Sequence, residues 1–285
     1  MRIRLFVALS GMFAALGCGD PFPPQTLVER LRPLAIRAEP PELGLLDEAE
    51  LEALVADPAG DGRPITYTWA VCLFEFENTA TDIPCPGPDS FFLPSEGARA
   101  RLSMPELISW LAEQGYDLEG IGGELPDDVP MLVGLEVRAG GERVRSIKRV
   151  KVRLQGDEPY NHNPALAGVR VFDERIEREP FELAAGHGYR LTPMVVEGSQ
   201  ELFLPEGETE QRLEDHLFSW FSTAGGFSDR RTILDVDSQG VPLDANEWTA
   251  PLEAGPVRLW LIVRDGRYGV DWLEVDLEVL VPPAE

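Results

Sequence analysis

Short runs in which apolar and polar residues alternate recur along most of the chain, and a period of two marks a half-buried β-strand. In residues 65–72 (ITYTWAVC), Ile65, Tyr67 and Trp69 fall on one face and Thr66 and Thr68 on the other. That makes Trp69 a core plug against an opposite sheet. Residues 33–38 and 51–55 read as earlier strands, the first stopped at Pro40-Pro41 and the second by Asp57-Pro58-Ala59-Gly60-Asp61-Gly62. Residues 130–139 and 144–154 flank Gly140-Gly141-Glu142-Arg143 and read as a hairpin. In its second arm Val150, Val152 and Leu154 alternate with Lys151 and Arg153.

One segment departs from this period. Ser103-Met104-Pro105-Glu106 has the spacing of a capping box and opens LISWLAEQG, which predicts a helix over residues 105–114 with Gly115 at its exit. Leu107, Ile108 and Leu111 share one side, as expected of a helix that covers an open edge or end of a sheet. A protrusion that binds a partner is the alternative.

Residues 156–164 (GDEPYNHNP) are polar, carry two prolines and read as a linker. Beyond them residues 166–172, 189–196, 217–222, 232–236, 257–264 and 270–280 read as strands. The two halves look related. Trp69 and Trp220 each sit mid-strand, and Val137-Arg138-Ala139-Gly140 matches Val263-Arg264-Asp265-Gly266, each followed by an alternating strand. Two copies of one sandwich are the economical reading. The expected fold is therefore mostly β, two immunoglobulin-like sandwiches in tandem, over residues 31–155 and 165–285, with one short helix inserted in the first.

The start of the chain carries an address. Arg2 and Arg4 precede an apolar run from Leu5 to Leu16, too short to span a bilayer with ease, that ends on small residues. Residues 1–17 are expected to be a signal peptide. Ala15-Leu16-Gly17-Cys18 resembles the lipobox of bacterial lipoproteins, which implies that Cys18 is acylated on sulfur and becomes the first residue of the mature chain. Asp20-Pro21-Phe22-Pro23-Pro24 then favours a semi-rigid spacer, so residues 18–30 are expected to be a lipidated tether. The expected location is the cell envelope, on the outer membrane by default, with the acyl chains as the membrane contact.

The 285 residues carry a formal charge of −25 and an apolar content of 44%, enough for real cores. Such a surface repels phosphate backbones and excludes nucleic acid as a partner. With Cys18 lipidated, Cys72 and Cys85 remain as an even pair, expected to form a disulfide in an exported protein.

Candidate chemistry is sparse. His162, His187 and His216 stand in no His-Glu-x-x-His arrangement, and no Gly-x-Ser-x-Gly elbow occurs. Fifty Asp and Glu make any carboxylate pair unspecific. One cluster stands out: Asp235-Val236-Asp237-Ser238-Gln239-Gly240 sets carboxylates at positions one and three and glycine at six of a calcium loop. Asp235, Asp237, Asp244 and Glu247 are its candidate ligands, although Asn246 stands at position twelve and Glu247 one place late. A solvated loop is the alternative, and no other cofactor is expected. Tyr160, Trp248, Trp260, Tyr268 and Trp272 offer a glycan- or protein-binding patch if exposed. In residues 257–264, however, both faces carry apolar groups, as in a strand buried on both sides by a neighbouring domain.

The Tyr67-x-Trp69 strand, the Val263-Arg264-Asp265-Gly266 hairpin and the terminal alternating strand resemble PKD-type and other immunoglobulin-like bacterial surface modules. With the lipobox, the chain is similar to uncharacterised myxobacterial lipoproteins bearing tandem modules of this kind. The resemblance implies a non-enzymatic surface scaffold or binding module with a protein or glycan partner. A calcium- or carbohydrate-binding adhesin is the runner-up, and a cell-envelope hydrolase comes third.

Overall fold

A computed structural model describes residues 24–72, 85–87, 90–116, 126–155, 159–172, 174–176, 180–205, 208–236 and 242–281. The first sandwich is built from β1 (Arg32–Glu39), β2 (Glu42–Gly44), β3 (Glu48–Ala56), β4 (Thr66–Cys72), β5 (Phe91–Phe92), β6 (Ser95–Glu96), β7 (Arg99–Ser103), α1 (Met104–Glu113), β8 (Asp128–Ala139) and β9 (Glu142–Arg153). One sheet runs β1-β3-β7-β6 and the other β2-β9-β8-β4-β5.

The second sandwich comprises β10 (Leu166–Val171), β11 (Glu174–Arg175), β12 (Phe181–Ala184), β13 (Gly188–Val195), β14 (Leu202–Phe203), β15 (Arg212–Leu213), β16 (Leu217–Ser222), β17 (Gly226–Phe227), β18 (Arg231–Ile233), β19 (Asn246–Thr249), β20 (Gly255–Arg264) and β21 (Val270–Leu280). Its sheets run β11-β10-β13-β19-β17 and β12-β21-β20-β16-β18, with β14-β15 a separate ribbon.

The sheets β2-β9-β8-β4-β5 and β12-β21-β20-β16-β18 share one strand order and one register. Trp69 of β4 faces Leu135 of β8, and Trp220 of β16 faces Leu261 of β20. Two residues along, Tyr67 faces Val137 and Phe218 faces Val263. The matching hairpin residues are thus equivalent in space. In each half a parallel pairing, β2 on β9 and β12 on β21, closes the second sheet.

Each half buries its own core. Trp69, Leu51, Leu102, Leu135 and Val150 centre the first, and Phe218, Trp220, Trp248, Leu259 and Leu261 the second. The indole N–H groups are satisfied: Trp69 Nε1 donates to Gly97 O at 3.4 Å and Trp220 Nε1 to Thr232 Oγ1 at 2.9 Å.

The helix forms where expected but without its expected cap. Ser103 is still the last residue of β7, paired with Glu48, and its side chain makes no cap bond. Glu106 Oε1 instead accepts from Arg101 Nη2 at 2.7 Å. Met104 and Leu107 enter the first core, with Trp110 against Phe91.

Two expected connectors are packed. Thr26, Val28 and Leu31 are buried, and Val28 N donates to Ser222 O at 2.9 Å while Ser222 N donates to Thr26 O at 2.9 Å. Of these residues at the end of the expected tether and just beyond it, Val28 packs in the apolar cluster with Trp260 and Ile262, and Leu31 enters the core of the first sandwich. In the expected linker Asn161 is fully buried.

Candidate functional site at the junction of the two sandwiches

β20 explains how the halves meet. Val257, Leu259, Leu261 and Val263 point into the second core. Trp260 and Ile262 point the other way, into a cluster with Val28, Leu34, Ala35, Leu54, Ala56 and Val270. Leu34, Ala35, Leu54 and Ala56 come from β1 and β3, so a dry apolar contact joins the sandwiches. The reading of this strand as buried on both sides holds.

Charged groups ring that contact. Arg37 of β1 pairs with Glu52 at 2.6 Å and with Asp271 of β21 at 2.8 Å, its guanidinium 4.7 Å from the Trp272 ring centroid. Asn163 Nδ2 donates to Ala38 O at 2.7 Å, and its Oδ1 accepts from Val270 N at 2.8 Å. One linker amide thus stitches both halves.

Beneath the linker lies a buried polar cluster. Glu42 Oε2 accepts from Arg153 Nη2 at 2.8 Å and from Asn161 N at 3.1 Å. Glu42 Oε1 is 3.4 Å from Lys151 Nζ and 3.6 Å from Arg267 Nη2. Asn161 Nδ2 donates to Asp265 Oδ2 at 2.8 Å. Asp265 Oδ1 accepts from Arg267 N at 2.7 Å and Gly269 N at 2.9 Å, which shapes the β20–β21 turn. Arg267 Nη1 reaches Glu214 Oε1 at 2.8 Å and Glu201 Oε2 at 3.6 Å. Burial pushes the Glu214 carboxyl up to about 7; the hydrogen bond from Glu201 N and the Arg267 charge oppose the rise, while the charges of Asp265 and Glu201 add to it. Burial also lowers Lys148 to about 8, with Asp265 opposing; its ammonium donates to Tyr268 O. His216 is fully buried, and burial pushes its imidazole down.

Chemically this is a lock. The buried carboxylates converge on the Arg267, Arg153 and Lys151 cations, and among the described residues no group of three or more His, Cys, Asp or Glu is placed to hold a metal ion. Nearby, a cleft of about 600 Å³ opens between Asp57 and Pro58 of the first half and Arg258, Trp260 and Glu274 of the second.

The residues singled out from sequence are scattered. Cys18 and Asp237 lie outside the described residues. Cys72 and Cys85 are joined, their Cα atoms 5.7 Å apart. Asp235 is exposed and its Oδ1 accepts from Val236 N at 2.7 Å. Asp244 is buried, which raises its carboxyl, and its Oδ1 has no partner among the described residues. Glu247 stands on β19 opposite Arg190. Asn246, between them, accepts from Asp229 N at 3.1 Å and donates to Asp229 O at 2.7 Å.

The aromatics do not assemble into one exposed patch. Trp248 lies in the core of the second half and Trp260 in the junction, both buried. Tyr160 lies under Arg153, 4.5 Å from centroid to guanidinium carbon. The junction residues Glu42, Asn161, Asn163, Glu214 and Arg267 escaped sequence reasoning. Lys148 left a signal, since it shares the apolar parity of Val144, Val150 and Val152.

No family model and no curated protein matches the chain. Solved structures align along most of it. Latent PorU from Porphyromonas gingivalis is 11% identical with a TM-score of 0.25, covering 90% of this chain and 24% of that one. The Ig1-2 module of the Drosophila receptor protein tyrosine phosphatase DLAR is 10% identical, TM-score 0.25, covering 89% and 100%. SGBP-B of the Bacteroides ovatus mixed-linkage glucan utilization locus, in complex with a heptasaccharide, is 11% identical, TM-score 0.23, covering 89% and 48%. At these values none of the likenesses bears on what the chain does. Among the described residues no helix is long and apolar enough to cross a membrane.

Proposed function

We propose that the protein is exported, held to the cell envelope by acyl chains on Cys18, and works there as a rigid two-module scaffold or binding protein without catalytic activity. The observation that carries this reading is the junction. An apolar contact around Ile262 and a buried ion-pair cluster around Glu42 and Arg267 hold the sandwiches as one body. A rigid arm suits the display of a surface at a fixed distance from a membrane. The Cys72–Cys85 disulfide supports an oxidising compartment.

The mature protein, extracted from its host envelope, is expected to show a diacylated N-terminal cysteine by intact mass, and Cys18→Ser to leave the membrane fraction. An unacylated N-terminus, or a Cys18→Ser form that stays membrane-bound, would overturn the placement.

A further inference from the structure

The chain is strongly acidic, yet seven of its 25 basic residues lie between Arg138 and Arg153, on β8, β9 and the turn joining them. Alternation sends Arg143, Arg145 and Arg149 to the outer face of the sheet, away from the Val150 and Val152 core positions. Register sets Arg138 beside Arg143 and Glu136 beside Arg145 on that face, with Thr66 and Thr68 on the adjoining strand.

Glu136 organises the group. Arg138 Nε donates to its Oε1 at 2.7 Å, and Arg143 Nε and Arg145 Nε to its Oε2 at 2.6 and 2.9 Å. The carboxylate is 5% exposed, whereas the three arginine side chains are 59%, 49% and 37% exposed. One negative charge therefore aligns three guanidiniums and leaves a surplus of positive charge facing water. A guanidinium carries five donors; Glu136 takes the Nε–Nη2 edge of Arg138 and Arg143 and the Nε of Arg145, which leaves the Nη1 groups of all three for another acceptor. Arg149, exposed two steps past Ile147, has no ion-pair partner among the described residues. A cavity of about 380 Å³ opens at the end of this row, lined by Arg138, Arg143, Thr66, the Gly140-Gly141 turn and Glu142, whose carboxylate is held by Arg63 Nη2 at 2.8 Å. Phe92, 53% exposed and paired with Ala70, lies on the same face.

We propose that this outer face, from Arg138 and Arg143 through Arg145 to Arg149, binds a carboxylate-bearing polysaccharide. The reading deepens the binding role proposed above by naming a partner. Preorganised guanidiniums match carboxylates bidentately, the threonine hydroxyls match sugar hydroxyls, and Phe92 gives a ring an apolar seat. Overall charge selects the shape of the polymer. Screening limits the patch to about 8 Å in physiological salt, so a slender polyanion that touches only this face is attracted. A broad anionic surface, such as a lipid bilayer or a nucleic-acid duplex, also meets the acidic remainder of the chain and is repelled. Peptide capture by strand addition uses an open strand edge, whereas the groups here are side chains on a sheet face.

The test is titration calorimetry of the full chain with polygalacturonate, using neutral dextran as control, at low and high salt. Polygalacturonate is expected to bind, weakening with salt, and dextran not to bind. Arg143→Gln and Arg149→Gln are each expected to lower affinity about tenfold, the scale of one lost charge-assisted pair. Arg149 makes no ion pair among the described residues, though it borders the cavity at the junction beside Arg264 and Tyr268, so an unchanged Tm in Arg149→Gln is the control that separates lost binding from lost packing. Glu136→Gln is expected to tighten binding, because it frees the guanidiniums; a merely structural role for the arginines predicts no such gain. Absence of polygalacturonate binding, unchanged affinity in Arg149→Gln, or capture of phosphatidylglycerol vesicles instead of the polymer would each overturn the proposal. Any of these with Cys18 still acylated sinks the glycan partner and leaves the membrane placement standing.

Discussion

Arg267 Nη1 lies 2.8 Å from Glu214 Oε1, in a pocket closed by the linker and facing Glu42, Glu201 and Asp265. Burial outweighs the pairing and pushes the Glu214 carboxyl up to about 7. Between its ordinary value of about 4.3 and that raised value, the folded chain holds a proton that the unfolded chain has released. This group's contribution to stability is therefore complete at low pH and is lost as pH climbs to about 7. Glu214→Gln keeps an acceptor for Arg267 and removes the titration. Its Tm is expected to exceed that of wild type at pH 8 by more than at pH 5. Parallel Tm curves for the two proteins would remove Glu214 from the pH response.

Ile262 is fully buried between the sandwiches, beside Trp260 and Leu34. Ile262→Ala is expected to cost about 2–5 kcal/mol, the range for truncating a buried aliphatic chain. Since the loss falls on the junction and not on either core, calorimetry should split into two transitions and small-angle scattering should broaden. A single transition, merely shifted, would show that the contact does not couple the halves.

Asn163 donates to Ala38 O and accepts from Val270 N. Asn163→Ala leaves both main-chain groups without this partner, at about 1–3 kcal/mol. Hydrogen exchange at the Val270 amide is expected to accelerate with little change at Leu135. Unaltered exchange at Val270 would argue against the stitch.

Gly134 lies directly under the disulfide, and a Cβ there would collide with Cys85 Sγ and crowd Cys72 Sγ at 3.1 Å. Gly134→Ala is expected to destabilise by about 1–3 kcal/mol, as overpacking does. In a Cys72→Ala, Cys85→Ala background the penalty should shrink. An equal penalty in both backgrounds would place the strain in the β8 backbone.

The fold was legible because it depends on local periodicity. Trp69 and Trp220 sit at equivalent places in strands whose alternation declares an inner and an outer face, and the two Val-Arg-x-Gly turns mark equivalent hairpins. The double apolar face of β20 likewise announced a neighbour on its second side. The pairing of Cys72 with Cys85 followed from counting.

Alternation along a strand is written in the residues themselves, and so the chain alone determined two sandwiches and their inward-facing side chains. Which surfaces of those sandwiches meet was decided only in three dimensions. Glu42, Asn161 and Arg267 are distant in sequence, and each reads as an ordinary surface group until the halves close over it. Arg138 and Arg264 make the point within one repeat: the same place in the same hairpin leaves one guanidinium in water over Glu136 and sets the other, half-buried, against Leu34 O. Burial is a property of neighbours, and neighbours far along the chain leave no period to read.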